Sequence, residues 1–158
     1  MLPTITDQPA YVFVYGTLRR GEQRDINRLE PAPIFMGDGQ INGTLYDLGS
    51  YPGVRLGGTY WVQGEVYQIS LELERQLDEI EEVLPQQTGE YARREVVVQC
   101  AATALVCLVY EVSCSHIEGK AVIESGNWVK RGMPVYTKKV FSTSKSASSL
   151  INTRLNSS

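Results

Sequence analysis

The sequence predicts an α+β fold: a small mixed β-barrel with flanking helices. Two observations carry this reading. Strand-like stretches outnumber helical ones and do not alternate with them regularly, which disfavours a doubly wound parallel sheet. Fourteen glycines and seven prolines punctuate the chain, as many short strands joined by turns require. With 158 residues, 42% of them hydrophobic, the chain is long enough to bury one core without disulfides or metals.

The elements follow in order. Tyr11-Val12-Phe13-Val14-Tyr15 is a short apolar run of aromatic and β-branched residues stopped by Gly16, which is a buried strand entering a turn. Residues 22–30 are mostly polar and suit a short helix after Gly21. Ile34–Met36, Gly43–Leu48 and Tyr60–Ile69 are strand-like, and 49–58 (GSYPGVRLGG) is loop chemistry throughout. One helix is clear. Ser70 can cap it, and Glu72 and Glu74 fall in the first turn, where the macrodipole favours acids. Leu73, Leu77, Ile80 and Leu84 form one apolar stripe, and Pro85 and Gly89 end the helix. Tyr91–Gln99 and Ala104–Val112 are valine-rich strands close enough for an antiparallel hairpin. The domain is expected over residues 11–141, after a ten-residue extension and before a serine-rich tail at 142–158.

Charge and cysteine usage exclude several functions. A net charge of −3 argues against nucleic acid as the main partner, although no acid follows Glu124 while Lys130, Arg131, Lys138, Lys139, Lys145 and Arg154 are basic. No apolar run approaches the roughly 20 residues of a membrane helix, and MLPTITDQPA has no signal-peptide core. The expected compartment is therefore the cytoplasm, with no membrane partner; oligomeric state is not legible. Cys100, Cys107 and Cys114 include no CxxC pair, so zinc and thioredoxin-like chemistry lack support. They are expected to be buried structural thiols, with successive ones on opposite sheet faces because their spacing of seven is odd.

The single histidine, His116, is expected in an exposed loop, which leaves neither a His-ligated metal cluster nor a serine triad with its GxSxG elbow. GxGxxG, Walker and HExxH motifs are absent too. What remains is a glycine loop and a helix rich in carboxylates. Gly16 permits a positive φ or a close ligand approach, so that the N–H groups of Thr17 and Leu18 point into a cavity. On the helix, at about 100° per residue, Glu81 falls roughly 80° from Leu73, on the shoulder of the apolar stripe, while Glu82 at about 180° faces water. Glu81 is thus the acid best placed to reach a half-buried pocket, where desolvation raises a carboxyl toward a useful base. A shoulder carboxylate that simply reaches solvent is the alternative by position.

Taken together, these segments resemble the gamma-glutamylcyclotransferase-like family in its avirulence-induced-gene-like branch. The matching pieces are Val14-Tyr15-Gly16-Thr17-Leu18-Arg19-x-Gly21, Leu48-Gly49-x-Tyr51-Pro52-Gly53, Gly64-Glu65-Val66-Tyr67, Leu77-Asp78-x-x-Glu81 and Tyr91-x-Arg93. Val109-Tyr110 and Ser125-Gly126-x-Trp128 extend the match over roughly residues 11–130. The resemblance implies a mixed barrel whose mouth binds a small γ-glutamyl compound with no metal or cofactor. It places the glycine loop on Tyr15, Gly16, Thr17 and Leu18, the acid/base on Glu81, its aromatic partner on Tyr91 and a second pocket tyrosine on Tyr110. It departs where relatives have LDxxEG and this chain has Glu82. The YGTL loop is closer to the branch acting on γ-glutamylamines than to the YGSN loop of dipeptide enzymes. Arg19, Arg20 and Arg93 are candidates to pair with a substrate acid, solvation being the alternative for each. The implied activity is cyclotransfer that releases 5-oxoproline; a binding or regulatory module with the same pocket but no turnover is the competing reading.

Overall fold

A computed structural model describes residues 10–80 and 90–130. Its strands are β1 (Ala10–Val14), β2 (Ile34–Asp47), β3 (Pro52–Ile69), β4 (Tyr91–Cys100), β5 (Thr103–Val112) and β6 (Ala121–Val122), with one α-helix, α1 (Leu71–Ile80), between β3 and β4. They form one mixed sheet in the order β4-β5-β1-β3-β2-β6. The β1–β5 pairing is parallel and the others along that order are antiparallel. Beyond the end of β1, the long β3 also meets β5 in parallel, at Val54 and Glu111. That crossing curls the sheet into a half-barrel, so the expected α+β class and mixed sheet hold.

Inside the curl the two ends of the sheet come close. A Cβ on Gly39 would stand 2.8 Å from Val98 Cγ1, and one on Gly37 would stand 2.9 Å from Cys100 Sγ. Glycine on β2 therefore lets β4 approach within contact distance. Phe13, Tyr15, Leu45, Val54, Val66, Val98, Cys107, Val109 and Trp128 pack in this interior. Val12, Val14, Tyr67, Leu73, Leu77, Leu108, Tyr110 and Val112 form a second core on the convex face, under α1. Because strand side chains alternate, β1 and β5 send successive residues to the two cores. The unbroken apolar run at 11–15 is the direct signature of a strand buried on both faces.

Several expectations change. Residues 52–58 are strand rather than loop, and the two short strands expected around residue 40 are one bulged strand, β2. The glycines there mark close approach as well as turning: a Cβ on Gly53 would lie 2.7 Å from Val112 Cβ. Residues 22–30 hold only a 3₁₀ turn at Ile26–Arg28, which Asp25 caps by accepting from Asn27 N. Cys100 and Cys107 share the interior core instead of opposing faces, because the chain reverses between them at the β4–β5 hairpin, and Cys114 is exposed. His116 is half-buried in a 3₁₀ turn, its Nδ1 2.5 Å from Ser113 Oγ.

The predicted helix start is realised, with Leu73 N donating to Ser70 Oγ at 3.1 Å. Leu84, Pro85, Gly89 and the basic tail at 142–158 lie outside the described residues. Among the described residues no helix is long and apolar enough to cross a membrane.

Candidate functional site

A cavity of about 190 Å³ opens at the end of β1. It is lined by the end of β1 and its following loop (Phe13 to Leu18), by Arg24, by Tyr51 and Pro52 before and at the start of β3, by Ile80 at the end of α1, by Glu90 and Tyr91, and by Tyr110. Tyr15, Gly16, Thr17, Leu18, Tyr91 and Tyr110, named from sequence, are thus gathered from three separate segments around one hollow. Glu81 lies outside the described residues, directly after cavity-lining Ile80.

The glycine loop is a tight turn in which Arg19 N donates to Gly16 O at 3.0 Å. Thr17 O and Leu18 O are occupied by Arg24 N and Ile26 N, both at 2.8 Å. Among the described residues nothing accepts from the N–H groups of Thr17 and Leu18. Adjacent uncommitted amides in a turn make a concavity suited to a carboxylate or an oxyanion. Gly16 is not required for a positive φ; instead a Cβ there would stand 2.6 Å from Pro52 Cγ. The glycine lets the loop close against β3.

A buried carboxylate fixes that loop. Glu65, 5% exposed, accepts from Arg20 N at 2.9 Å, Arg19 Nε at 3.0 Å and Tyr67 Oη at 2.8 Å. Charge-assisted bonds of this kind compensate the cost of burying the acid. Burial first, and then the Glu65 carboxylate, push the Tyr67 phenol above its usual range. Asn27 donates to the same phenol oxygen at 3.1 Å. The Glu65 anchor was missed from sequence, where GEVY read only as a strand.

The three tyrosines act through defined bonds. Tyr15 Oη donates to Tyr110 O at 2.7 Å and accepts from Val54 N at 3.2 Å, joining β1, β5 and β3. Tyr91 Oη donates to Pro52 O at 2.7 Å, and its ring lies 6.4 Å from that of Tyr51. Tyr110 Oη donates to Asp78 Oδ1 at 2.7 Å. Asp78, buried on α1, also accepts from Arg93 Nη1 at 2.7 Å, and Arg93 pairs with Glu74 as well. Although burial pulls the Arg93 guanidinium down, Glu74 and Asp78 hold it above its ordinary value. This clamp ties α1, the helix carrying the Leu77-Asp78 part of the LDxxE match, to β4 and β5.

The arginines proposed for a substrate acid are committed elsewhere. Arg19 binds Glu65 and Asn127, Arg93 binds Asp78 and Glu74, and Arg20 lies 4.3 Å over the Phe35 ring. Arg24 and Glu90, which sequence reasoning passed over, line the cavity. Glu90 Oε2 accepts from Tyr51 Oη at 2.7 Å. Neither residue follows a periodic pattern; each is on a loop, and only the folded chain brings it to the hollow.

Fold and cavity define a curled half-barrel with a hollow for a small molecule at the end of β1. The chain belongs to the family described as gamma-glutamyl cyclotransferase, AIG2-like, whose model matches residues 12–130. It is 37% identical over 121 residues, 76% of this chain and 96% of the relative, to the gamma-glutamylcyclotransferase family protein ytfP of Citrobacter rodentium. A second relative, the gamma-L-glutamyl-butirosin B gamma-glutamyl cyclotransferase of Niallia circulans, is 40% identical over 72 residues, 45% of each chain. The crystal structure of an aig2-like protein from Mus musculus superposes with a TM-score of 0.63 at 26% identity, covering 75% of this chain and 88% of that one.

Proposed function

We propose that this protein is a γ-glutamyl cyclotransferase in which Glu81 moves the proton. The observation that carries the reading is the convergence of the glycine loop, Tyr91 and Tyr110 on one cavity with Ile80, the residue before Glu81. The relative from Niallia circulans, named for γ-L-glutamyl-butirosin B, supports a γ-glutamyl compound as substrate.

The chemistry asks little of the protein. In a γ-glutamyl amide the α-amine is the nucleophile and the γ-carbonyl the electrophile of the same molecule. Holding the chain folded so that they meet makes the step intramolecular, which is worth about 7–11 kcal/mol. Glu81 takes a proton from the α-ammonium, and the amine nitrogen bonds to the γ-carbonyl carbon, closing a five-membered ring. The tetrahedral oxyanion then collapses, the original amide C–N bond breaks, and Glu81 returns the proton to the departing nitrogen, while the ring nitrogen sheds its second surplus proton and the released amine takes one up as an ammonium. Products are 5-oxoproline and a free amine or amino acid. The uncommitted N–H groups of Thr17 and Leu18 receive the substrate's α-carboxylate or the oxyanion, Tyr91 and Tyr110 shape the wall, and the YGTL loop points to γ-glutamylamines, a class that includes amines bearing a carboxylate such as the ε-amine of lysine.

The test measures 5-oxoproline released from γ-glutamyl-lysine, γ-glutamyl-alkylamines and γ-glutamyl dipeptides. Wild type and Glu82→Gln turn over, whereas Glu81→Gln loses about 10²–10⁴-fold in kcat. Equal rates for wild type and Glu81→Gln would overturn the assigned role, and a loss confined to Glu90→Gln would move it to Glu90.

A further inference from the structure

We infer that Arg24 is the specificity-determining residue of this cavity, selecting γ-glutamyl substrates whose departing amine carries an anionic group. The inference rests on the cyclotransferase reading and deepens it.

Arg24 is the cation that lines the hollow among the described residues. Its main chain is pinned: Arg24 N donates to Thr17 O at 2.8 Å, and the next residue, Asp25, accepts from Gly21 N at 2.8 Å and Asn27 N at 2.9 Å. Ile26 beyond it is fully buried. The guanidinium, by contrast, is exposed and makes no ion pair or hydrogen bond among the described residues. Nearby arginines are in the opposite condition. Arg19 is held by Glu65 and Asn127, and Arg28 donates to Glu22 O and Gln23 O. A fixed backbone under an uncommitted guanidinium at a cavity lip is a receptor for a carboxylate, which its planar donors match in two-point fashion.

The position decides which carboxylate. The amides of Thr17 and Leu18 already supply donors for the glutamyl half at the loop. A solvent-exposed side chain at the lip meets the portion of substrate that extends outward, and this is the leaving group. Selectivity then comes from a group the reaction does not change. Arg24 is accordingly a binding residue, and proton transfer does not pass through it.

The experiment compares γ-glutamyl-alanine with γ-glutamyl-ethylamine, which differ by one carboxylate, in wild type, Arg24→Gln and Arg24→Lys. The ratio of the two kcat/KM values falls by about tenfold in Arg24→Gln and by less in Arg24→Lys, the size expected for one partly solvated charge-assisted contact. A ratio unchanged by Arg24→Gln would overturn the inference, whether both substrates lose equally or neither does. Thermal melting confirms that each variant is folded. If wild type turns over neither compound, the cyclotransferase reading fails on its own. Calorimetric binding of the two compounds then still decides the inference: a preference for the carboxylate that Arg24→Gln abolishes sustains it, and equal affinities overturn it.

Discussion

The two faces of the curled sheet are built from alternate residues of the same strands, yet they are packed differently. The concave face is mostly apolar, with Phe13, Leu45, Val54, Val66, Val98 and Trp128 closing on one another where β2 and β4 meet; a buried acid there, Glu111 on β5, sits beside Val54 and accepts from Arg94 Nε and Leu56 N. The convex face mixes an apolar layer with buried polar clamps: Glu65 on β3 and Asp78 on α1, each buried and each bound by an arginine and a tyrosine. The difference teaches that one face supplies mainly cohesion, while the other relies more on directional bonds to hold loops in place around a hollow.

That contrast is open to being broken. The largest effect is expected from Trp128→Ala on the concave face, away from the residues that line the cavity. It removes a ring that is 1% exposed and lowers unfolding stability by about 3–5 kcal/mol. Denaturant melts measure this, and any surviving folded fraction should keep its KM. A smaller loss with an altered KM would mean that the two faces are not separable.

Tyr110→Phe tests the convex face. It leaves Asp78 with Arg93 but without the 2.7 Å phenol donor, at a cost of about 1–2 kcal/mol. Because that bond positions the end of α1, kcat/KM should fall by more than the stability change alone accounts for, which steady-state kinetics on the folded variant will show. Unchanged kinetics would reduce the clamp to a purely structural part.

The smallest effect concerns the thiols. Burial pushes Cys107 up to about 12, with Cys100 beside it contributing in the same direction, while Cys114 is exposed. Iodoacetamide at pH 8 should therefore label Cys114 alone in the native protein, as peptide mass mapping would reveal. The sign of the linkage follows. A thiol whose folded pKa is raised above 9.0 stabilises the fold fully below that pH and loses the contribution as pH rises toward 12. Native labelling of Cys107 at pH 8 would show that the concave core opens.

Much of this was legible before folding. The run at residues 11–15 reports a strand buried on both sides, and the Ser70 cap with the Leu73, Leu77 stripe marks the helix. Six of the site residues were named from a local motif or a resemblance and now share one cavity. Where the reading failed, glycine was the cause. At 52–58 it signalled turns, but Gly53 serves a strand crossing against Val112. The odd spacing of the cysteines misled in the same way, since parity counts only along one strand and the hairpin lies between Cys100 and Cys107.

The sequence by itself determined the class of fold, the helix that leads to Glu81 and the glycine loop, because periodicity, capping and turn chemistry act over a few residues. Only the tertiary structure decided that Glu65 and Asp78 are buried clamps, that Arg19 and Arg93 are spent on them, and that Arg24 and Glu90 face the cavity. Whether a charge is committed depends on partners tens of residues away, and that distance is closed only when the sheet curls.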